Sequence, residues 1–411
     1  MTNSTQTGRL KGSILTLNAG SSSLKFALFS NDAVPIRILT GAIDRIGSPE
    51  AIFTLWDLES EQTEQEKISA SDHEGCLDGL LRRLKKMTGV GSFDAVGHRI
   101  VHGMDRYEQP EVVTVEMMDE LRQIIPFAPE HLPAEIALIE MLSRRFPRLP
   151  QVACFDTAFH RDMPRVARLL PIPRDFEAAG IRRYGFHGLS YEFLMEELSR
   201  LDDPTVTKGR DILAHLGNGA SLAAVRDGKS IDTSMSFTPA GGVMMSTRSG
   251  DLDPGLVSYL MRNERMTISQ FNSMINHESG LLGVSKSSSD MRDLLERESD
   301  DVRAAEAVEL FCYQIKKRIG SFAAALGGLD TLVFTGGIGE NAPLVRARIC
   351  DGLGFLGIEL DEAQNDLSGS LISTETGRVA VRVIHTDEEL MIAKSVRRVL
   401  GLGLNLKGIE S

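Results

Sequence analysis

Cysteine is scarce and scattered in this chain. Cys76, Cys154, Cys312 and Cys350 are the four, and none sits in a CxxC or other metal-ligand spacing. The plain reading is reduced thiols in a cytosolic protein. Long apolar runs are missing as well. No stretch of about 18 apolar residues occurs, so no membrane-spanning helix is expected. The opening residues, MTNSTQTGRLKG, are polar and lack the apolar stretch of a signal peptide, which again points to the cytoplasm. Positive charge is in deficit: 45 Lys and Arg stand against 57 Asp and Glu, a formal net charge of −12. That argues against a nucleic-acid partner, because phosphate backbones are gripped by clustered Lys and Arg. It leaves room for a small anionic substrate, since a few arginines in a cleft can set a local field against the global sign.

What is present is ordinary soluble globular chain. Its 411 residues, 42% apolar and 25% charged, suit two or three domains with sizeable cores. Ser13–Leu17 reads as a strand, Asn18–Ser23 as a tight turn and Leu24–Phe29 as a returning strand. The pattern comes back about two hundred residues later, with Asp211–Leu216, the turn Gly217–Ser221 and Leu222–Val225. Two such units, one opening each half, suggest an internal duplication. Helical stripes lie between strands. Ser71 to Met87 carries Leu77, Leu80, Leu81 and Leu84, with a capping-box start at Ser71-x-x-Glu74. Val302–Leu326 is a longer amphipathic helix ended by Gly327-Gly328. Thr331–Phe334 and Arg378–Ile384 read as strands, and Thr386–Leu400 as the last helix. Mixed elements of this kind indicate α/β layers. No linker or low-complexity segment marks a boundary near Phe155-Asp156.

Three small-residue loops follow strands: Asn18–Ser23, Gly217–Ser221 and Gly336–Asn341. Such loops gather backbone N–H groups with no side chains in the way, which suits a phosphate chain. None of the three is a Walker loop, since GxxxxGK[ST] is absent from the chain, and none of the three is a GxGxxG fingerprint. One loop alone is commonly a plain turn; three in one chain, with Lys25 just past the first, favour phosphate. Arg99 in GHRIVHG and Arg248 in STRSG offer guanidinium forks for carboxylates or phosphoryl oxygens, structural ion pairs being the other reading. Asp156 follows the strand Gln151–Phe155, where sites form in α/β proteins, although helix caps and turns use Asp there too. His187 sits in a glycine-flanked segment that lets an imidazole approach a ligand. In His385-Thr386-Asp387-Glu388-Glu389, Thr386-x-x-Glu389 has capping-box spacing, so Glu389 has a structural task. Glu388 is then the carboxylate open to Mg²⁺, or a solvated first-turn acid.

Ten ordered segments together resemble the acetokinase family of the sugar-kinase/actin superfamily. They are LNAGSSSLKF, GHRIVHG, CFDTAFH, YGFHG, HLGNGAS, TSMSFTP, STRSGDLDPG, SDMRDL, FTGGIGEN and TDEEL, spread from about residue 13 to 400. The resemblance implies an α/β fold of two duplicated actin-like (ribonuclease H-like) domains, each built on a five-stranded mixed sheet, with an interdomain cleft for ATP and the acid. It implies an N-terminal domain of residues 1–155 plus 386–411 and a C-terminal domain of residues 156–385 that binds nucleotide and forms a homodimer. It also implies an ATP:acetate phosphotransferase that makes acetyl phosphate and ADP reversibly by direct in-line transfer.

Carried over residue by residue, Asn18 and Glu388 hold Mg²⁺, or Mn²⁺. Lys25 and His215, Leu216, Gly217, Asn218 and Gly219 contact the ATP phosphates. Asp290, Met291 and Arg292, with Gly337, Ile338, Gly339, Glu340 and Asn341, form the adenosine pocket. Arg99 holds the acid's carboxylate, and Val101, Phe186 and Pro239 wall its alkyl tail. Asp156, His187, Arg248 and Arg99 are the catalytic set, with His131 nearby. The chain departs from the family at four places. Glu130 replaces an apolar residue of the acyl wall, Leu132 an amide, Ser246 a glycine and Tyr191 a histidine. Propionate, butyrate or a polar short-chain acid is the alternative substrate. A catalytically weak nucleotide-dependent binding protein is the alternative of another class.

Overall fold

The computed structural model describes residues 12–20, 23–58, 61–68, 72–88, 93–201 and 209–402. They fall into two compact units, Met1–Ala158 with Asp387–Ser411, and Phe159–Thr386. This division leaves Asp156 with the first unit, a few residues from the boundary expected at 155.

The first unit holds strands β1 (Ser13–Ala19), β2 (Ser23–Ser30), β3 (Arg37–Asp44), β4 (Ile52–Asp57), β5 (Gln62–Lys67), β6 (Ala95–Ile100), β7 (Glu111–Val112) and β8 (Gln151–Phe155). Among the described residues they make one sheet in the order β5-β4-β3-β2-β1-β6-β8-β7. The second unit holds β9 (Arg210–Leu216), β10 (Ala220–Arg226), β11 (Lys229–Thr233), β12 (Thr331–Thr335) and β13 (Ala380–Val383), in the order β11-β10-β9-β12-β13. Both sheets share an inner pattern. A three-stranded antiparallel meander, β3-β2-β1 or β11-β10-β9, is followed by two strands parallel to its first, β6-β8 or β12-β13. The two hairpins found in the sequence open these two copies. The first sheet has eight strands rather than five, because β4 and β5 extend the meander and β7 pairs with β8.

Central β1 is buried at every position, as a strand covered on both faces should be. The edge strand β5, QTEQEK, is exposed throughout and charged, which discourages pairing with another chain. Over this sheet the helix His73–Thr88 presents Leu77, Leu80, Leu81 and Leu84 to Leu15, Phe26 and Leu28, beside Leu138 and Leu142 of the helix Leu132–Arg145. Each fully buried Leu or Phe contributes about 1.5–3 kcal/mol. The expected cap Ser71 lies outside the described residues. On β6, Gly97 lets the last helix, Glu388–Leu400, approach closely: an added Cβ would stand 2.3 Å from Ile392 and 2.6 Å from Val396.

In the second unit the helix Val302–Leu326 starts at Asp301, whose side chain accepts from the Arg303 N–H, and ends at Gly327 with φ 74°. Phe311, Ile315, Ile319 and Phe322 recur on its buried face. Three expectations shift. β1 continues through Asn18, which pairs with Lys25 across the hairpin, so Asn18 is strand rather than turn. The turn begins at Gly20, and Ser21 and Ser22 lie outside the described residues. Residues Gly336–Asn341, expected as a loop, form a short helix. The last helix is capped by Asp387, which accepts from the Leu390 N–H at 2.9 Å, so the Thr386–Glu389 capping box does not form.

Candidate active site

Register brings the first set of residues together. Arg99 lies near the end of β6 and Asp156 just beyond β8, its neighbour in the sheet, so both emerge at the same edge. Arg99 Nε and Nη2 donate to Asp156 Oδ2 at 3.0 and 2.5 Å, and Nη1 donates to Asn18 Oδ1 at 3.2 Å. The Asp156 side chain is fully buried and that of Arg99 is 13% exposed. Burial lowers the guanidinium's pKa, but Asp156, then Glu388 and Glu135, more than offset this and hold it above its ordinary value. On its other side the Asn18 amide donates to Glu388 Oε2 at 2.8 Å and Glu389 Oε1 at 3.3 Å. Asn18 is therefore a bridge between one cation and two carboxylates. Burial raises the Glu389 carboxyl against the pull of Lys25, and Glu388 raises it further.

The spacing of Thr386 and Glu389 assigns Glu389 to a cap. The structure instead makes it the second carboxylate on Asn18. Among the described residues no group of three or more His, Cys, Asp or Glu gathers to hold a metal. An amide and two carboxylates suit Mg²⁺, which favours few protein oxygens and completes its shell with water and phosphate oxygens.

The acyl-wall residues hold a second surprise. Val101 and His131 are buried, and Glu130 is half-buried. The carboxylate set against this wall is Glu135, only 2% exposed, whose two oxygens both accept from the Val101 N–H at 3.2 and 3.1 Å. Burial pushes Glu135 up to about 8, opposed by Arg99 and the Val101 N–H and aided by Asp156. Sequence patterning gave no sign of it, because a first-turn glutamate in a helix ordinarily faces solvent.

The second set lies in the other unit. Gly217 N–H donates to the Gly219 carbonyl at 3.0 Å, closing the turn between β9 and β10. Gly336, with φ 76°, packs so tightly that a Cβ would stand 2.8 Å from the Leu216 carbonyl oxygen. The two glycine-rich segments thus lie side by side, a Cβ on Gly217 being 3.8 Å from the Gly337 nitrogen. A Cβ on Gly219 would stand 3.2 Å from His187 Nε2 and 3.7 Å from Arg248 Nη1, so backbone, imidazole and guanidinium converge there. His187 stacks on His215 at 4.2 Å. Arg248 Nη1 reaches the Pro239 carbonyl at 3.5 Å, and Phe186 is buried. Ser246 donates from its backbone to the Asn218 carbonyl at 3.2 Å and from its hydroxyl to the Asn218 side chain at 3.3 Å.

The expected adenosine residues are more dispersed in role. Asp290 caps the helix Met291–Arg297 and pairs with Arg292 at 2.7 Å, while Met291 is buried. The Glu340 carboxylate accepts from the Thr335 hydroxyl, the Gly336 and Thr386 N–H groups and the His385 ring. Its side chain shapes the segment. Asn341 donates to the Gly337 carbonyl at 3.0 Å. Sequence reasoning overlooked Arg346, fully buried, which donates to the Gly339 and Glu340 carbonyls and anchors this segment from beneath.

The family model described as the acetokinase family matches residues 13–394. The chain is 44% identical over 391 residues to an acetate kinase of Rhodopseudomonas palustris, covering 94% of this chain and 98% of that one. It is 42% identical over 391 residues to a propionate kinase of Citrobacter rodentium, covering 94% and 96%. The crystal structure of Porphyromonas gingivalis acetate kinase matches with a TM-score of 0.85 at 36% identity, covering 95% of this chain and 100% of that one. The α/β class with duplicated actin-like domains is borne out by these matches and by the repeated sheet.

Proposed function

The chain belongs to the acetokinase family, and from that premise we propose that it transfers the γ-phosphoryl group of ATP to the carboxylate of acetate, reversibly giving acetyl phosphate and ADP. The observation that carries the proposal is the Arg99–Asp156 pair joined through Asn18 to Glu388 and Glu389. A carboxylate is already a nucleophile at neutral pH, so deprotonation is not the obstacle. The work is to bring two anions together and to neutralise charge on the equatorial oxygens.

Arg99 orients the acid's carboxylate, and Asp156 holds Arg99. Asp156 Oδ2 receives two N–H groups of that guanidinium, which favours an orienting role over proton transfer. Val101, Phe186, Pro239 and His131 are assigned to the acid's alkyl tail. His187 and Arg248 meet the charge of the transferring group. Lys25 and the segment His215–Gly219 receive the phosphates, and Asp290–Arg292 with Gly337–Asn341 take the adenosine. Asn18, Glu388 and Glu389 would hold Mg²⁺, which when bound neutralises phosphate oxygens. Four buried cysteines, none in a disulfide, support a cytoplasmic setting. A homodimer would form through the second unit, where Tyr259, Tyr313 and Phe355 are exposed.

Propionate or a polar short acid is the second reading, favoured by the buried Glu135 beside Val101 and by the likeness to a propionate kinase. The test is ATP- and Mg²⁺-dependent acyl phosphate formation, trapped with hydroxylamine, across acetate, propionate, butyrate and glycolate. Highest kcat/KM with acetate upholds the first reading, and a longer or polar acid upholds the second. ATP binding with no product from any acid would refute both and favour a nucleotide-dependent binding protein.

A further inference from the structure

Tyr191 stands where the family resemblance places histidine, and its surroundings give it a task. Its side chain is fully buried, with its ring 5.5 Å from that of Phe159 and 5.7 Å from that of His160. Its hydroxyl lies 2.5 Å from Ser221 Oγ, and Ser221 Oγ lies 2.8 Å from His187 Nδ1. The His187 backbone is left-handed, with φ 60°, directly ahead of the helix Gly188–Ser199 that carries Tyr191. Nε2 of the same ring faces Gly219, in the turn assigned to phosphate.

We infer that Tyr191 is a positioning residue which, through Ser221, keeps the His187 proton on Nε2, where it faces the transferring phosphoryl group. The inference rests on the proposed role of His187. A phenol is a stronger donor and a weaker acceptor than an aliphatic alcohol, because its oxygen lone pair is delocalised into the ring. The favoured chain therefore runs Tyr191 O–H to Ser221, then Ser221 O–H to His187 Nδ1. Nδ1 is then an acceptor, and the neutral ring keeps its single proton on Nε2. An Nε2 lone pair aimed at phosphoryl oxygens would repel them. Nothing forms or breaks covalently; the device sets a tautomer.

Tyr191→Phe keeps the ring and removes the donor, freeing Ser221 to accept from Nδ1–H. The expected result is a kcat lowered about tenfold, part of what loss of a charge-stabilising donor costs, with KM for acid and ATP within about twofold. Long-range ¹⁵N–¹H spectra of the ring should move His187 from Nε2–H toward Nδ1–H. Tyr191→His, which restores a donor at this place, should recover kcat and the Nε2–H pattern. Ser221→Ala, which leaves the Tyr191 packing intact, should reproduce the loss and decides the matter if Tyr191→Phe does not fold. A wild-type ring pattern in both Tyr191→Phe and Ser221→Ala would overturn the inference, as would a fall in kcat without a tautomer change. The spectral readout needs no turnover. If it shifts as expected while the wild type phosphorylates no acid, the proposed function fails and the inference about the proton's position stands.

Discussion

Glu135→Gln removes a charge that burial opposes while keeping an oxygen to accept from the Val101 N–H. The carboxyl's ordinary value is 4.5, and in the fold it is pushed up to about 8. Below the ordinary value it is protonated folded and unfolded, and no penalty arises. Between the two values the unfolded chain ionises while the folded chain keeps its proton, so folding loses about 1.4 kcal/mol per pH unit. The loss levels off above the folded value. Relative to wild type, the variant should therefore gain on the order of 3 kcal/mol between pH 5.5 and pH 8.5. At about 2–4 °C per kcal/mol for a unit of this size, the relative Tm should rise by roughly 6–12 °C. Urea and thermal unfolding followed through Trp56, the single tryptophan and a residue of β4 in the same unit, would measure it. Wild type and variant running parallel across that range would refute the reasoning, because Glu135 would then be ionised at no cost, or solvated.

Arg99→Ala takes the guanidinium away from the buried Asp156 carboxylate and should cost about 3–5 kcal/mol of stability, with KM for the acid rising far more than KM for ATP in steady-state assays. Glu388→Gln should raise the Mg²⁺ concentration for half-maximal rate about tenfold or more, read by metal titration at saturating ATP and acid. Gly97→Ala forces a Cβ against Ile392 and Val396 and should destabilise by about 1–3 kcal/mol, seen as a lowered Tm. Ser246→Gly removes the hydroxyl contact with Asn218 and should weaken nucleotide binding by about two- to tenfold, measurable by calorimetry.

The residues that recur as short local patterns were legible in the sequence. Strand–turn–strand units announced the duplicated sheets, since alternation and small turn residues act over a few positions. Gly327 ended its helix as expected, because a left-handed residue there favours glycine whatever surrounds it. Arg99 and Asp156 could be suspected because both stand at strand ends. Spacing misjudged Glu389, because the N-cap expected at Thr386 moved to Asp387, and Glu389 turned to Asn18 instead. Asn18 and Glu388, 370 residues apart, meet only because the last helix packs against β1 and β6. The same holds for Glu135 under Val101 and for Tyr191 beside Ser221. Local periodicity sets which way a side chain leaves its own element; which distant group it meets depends on register and packing, and these exist only in the folded chain.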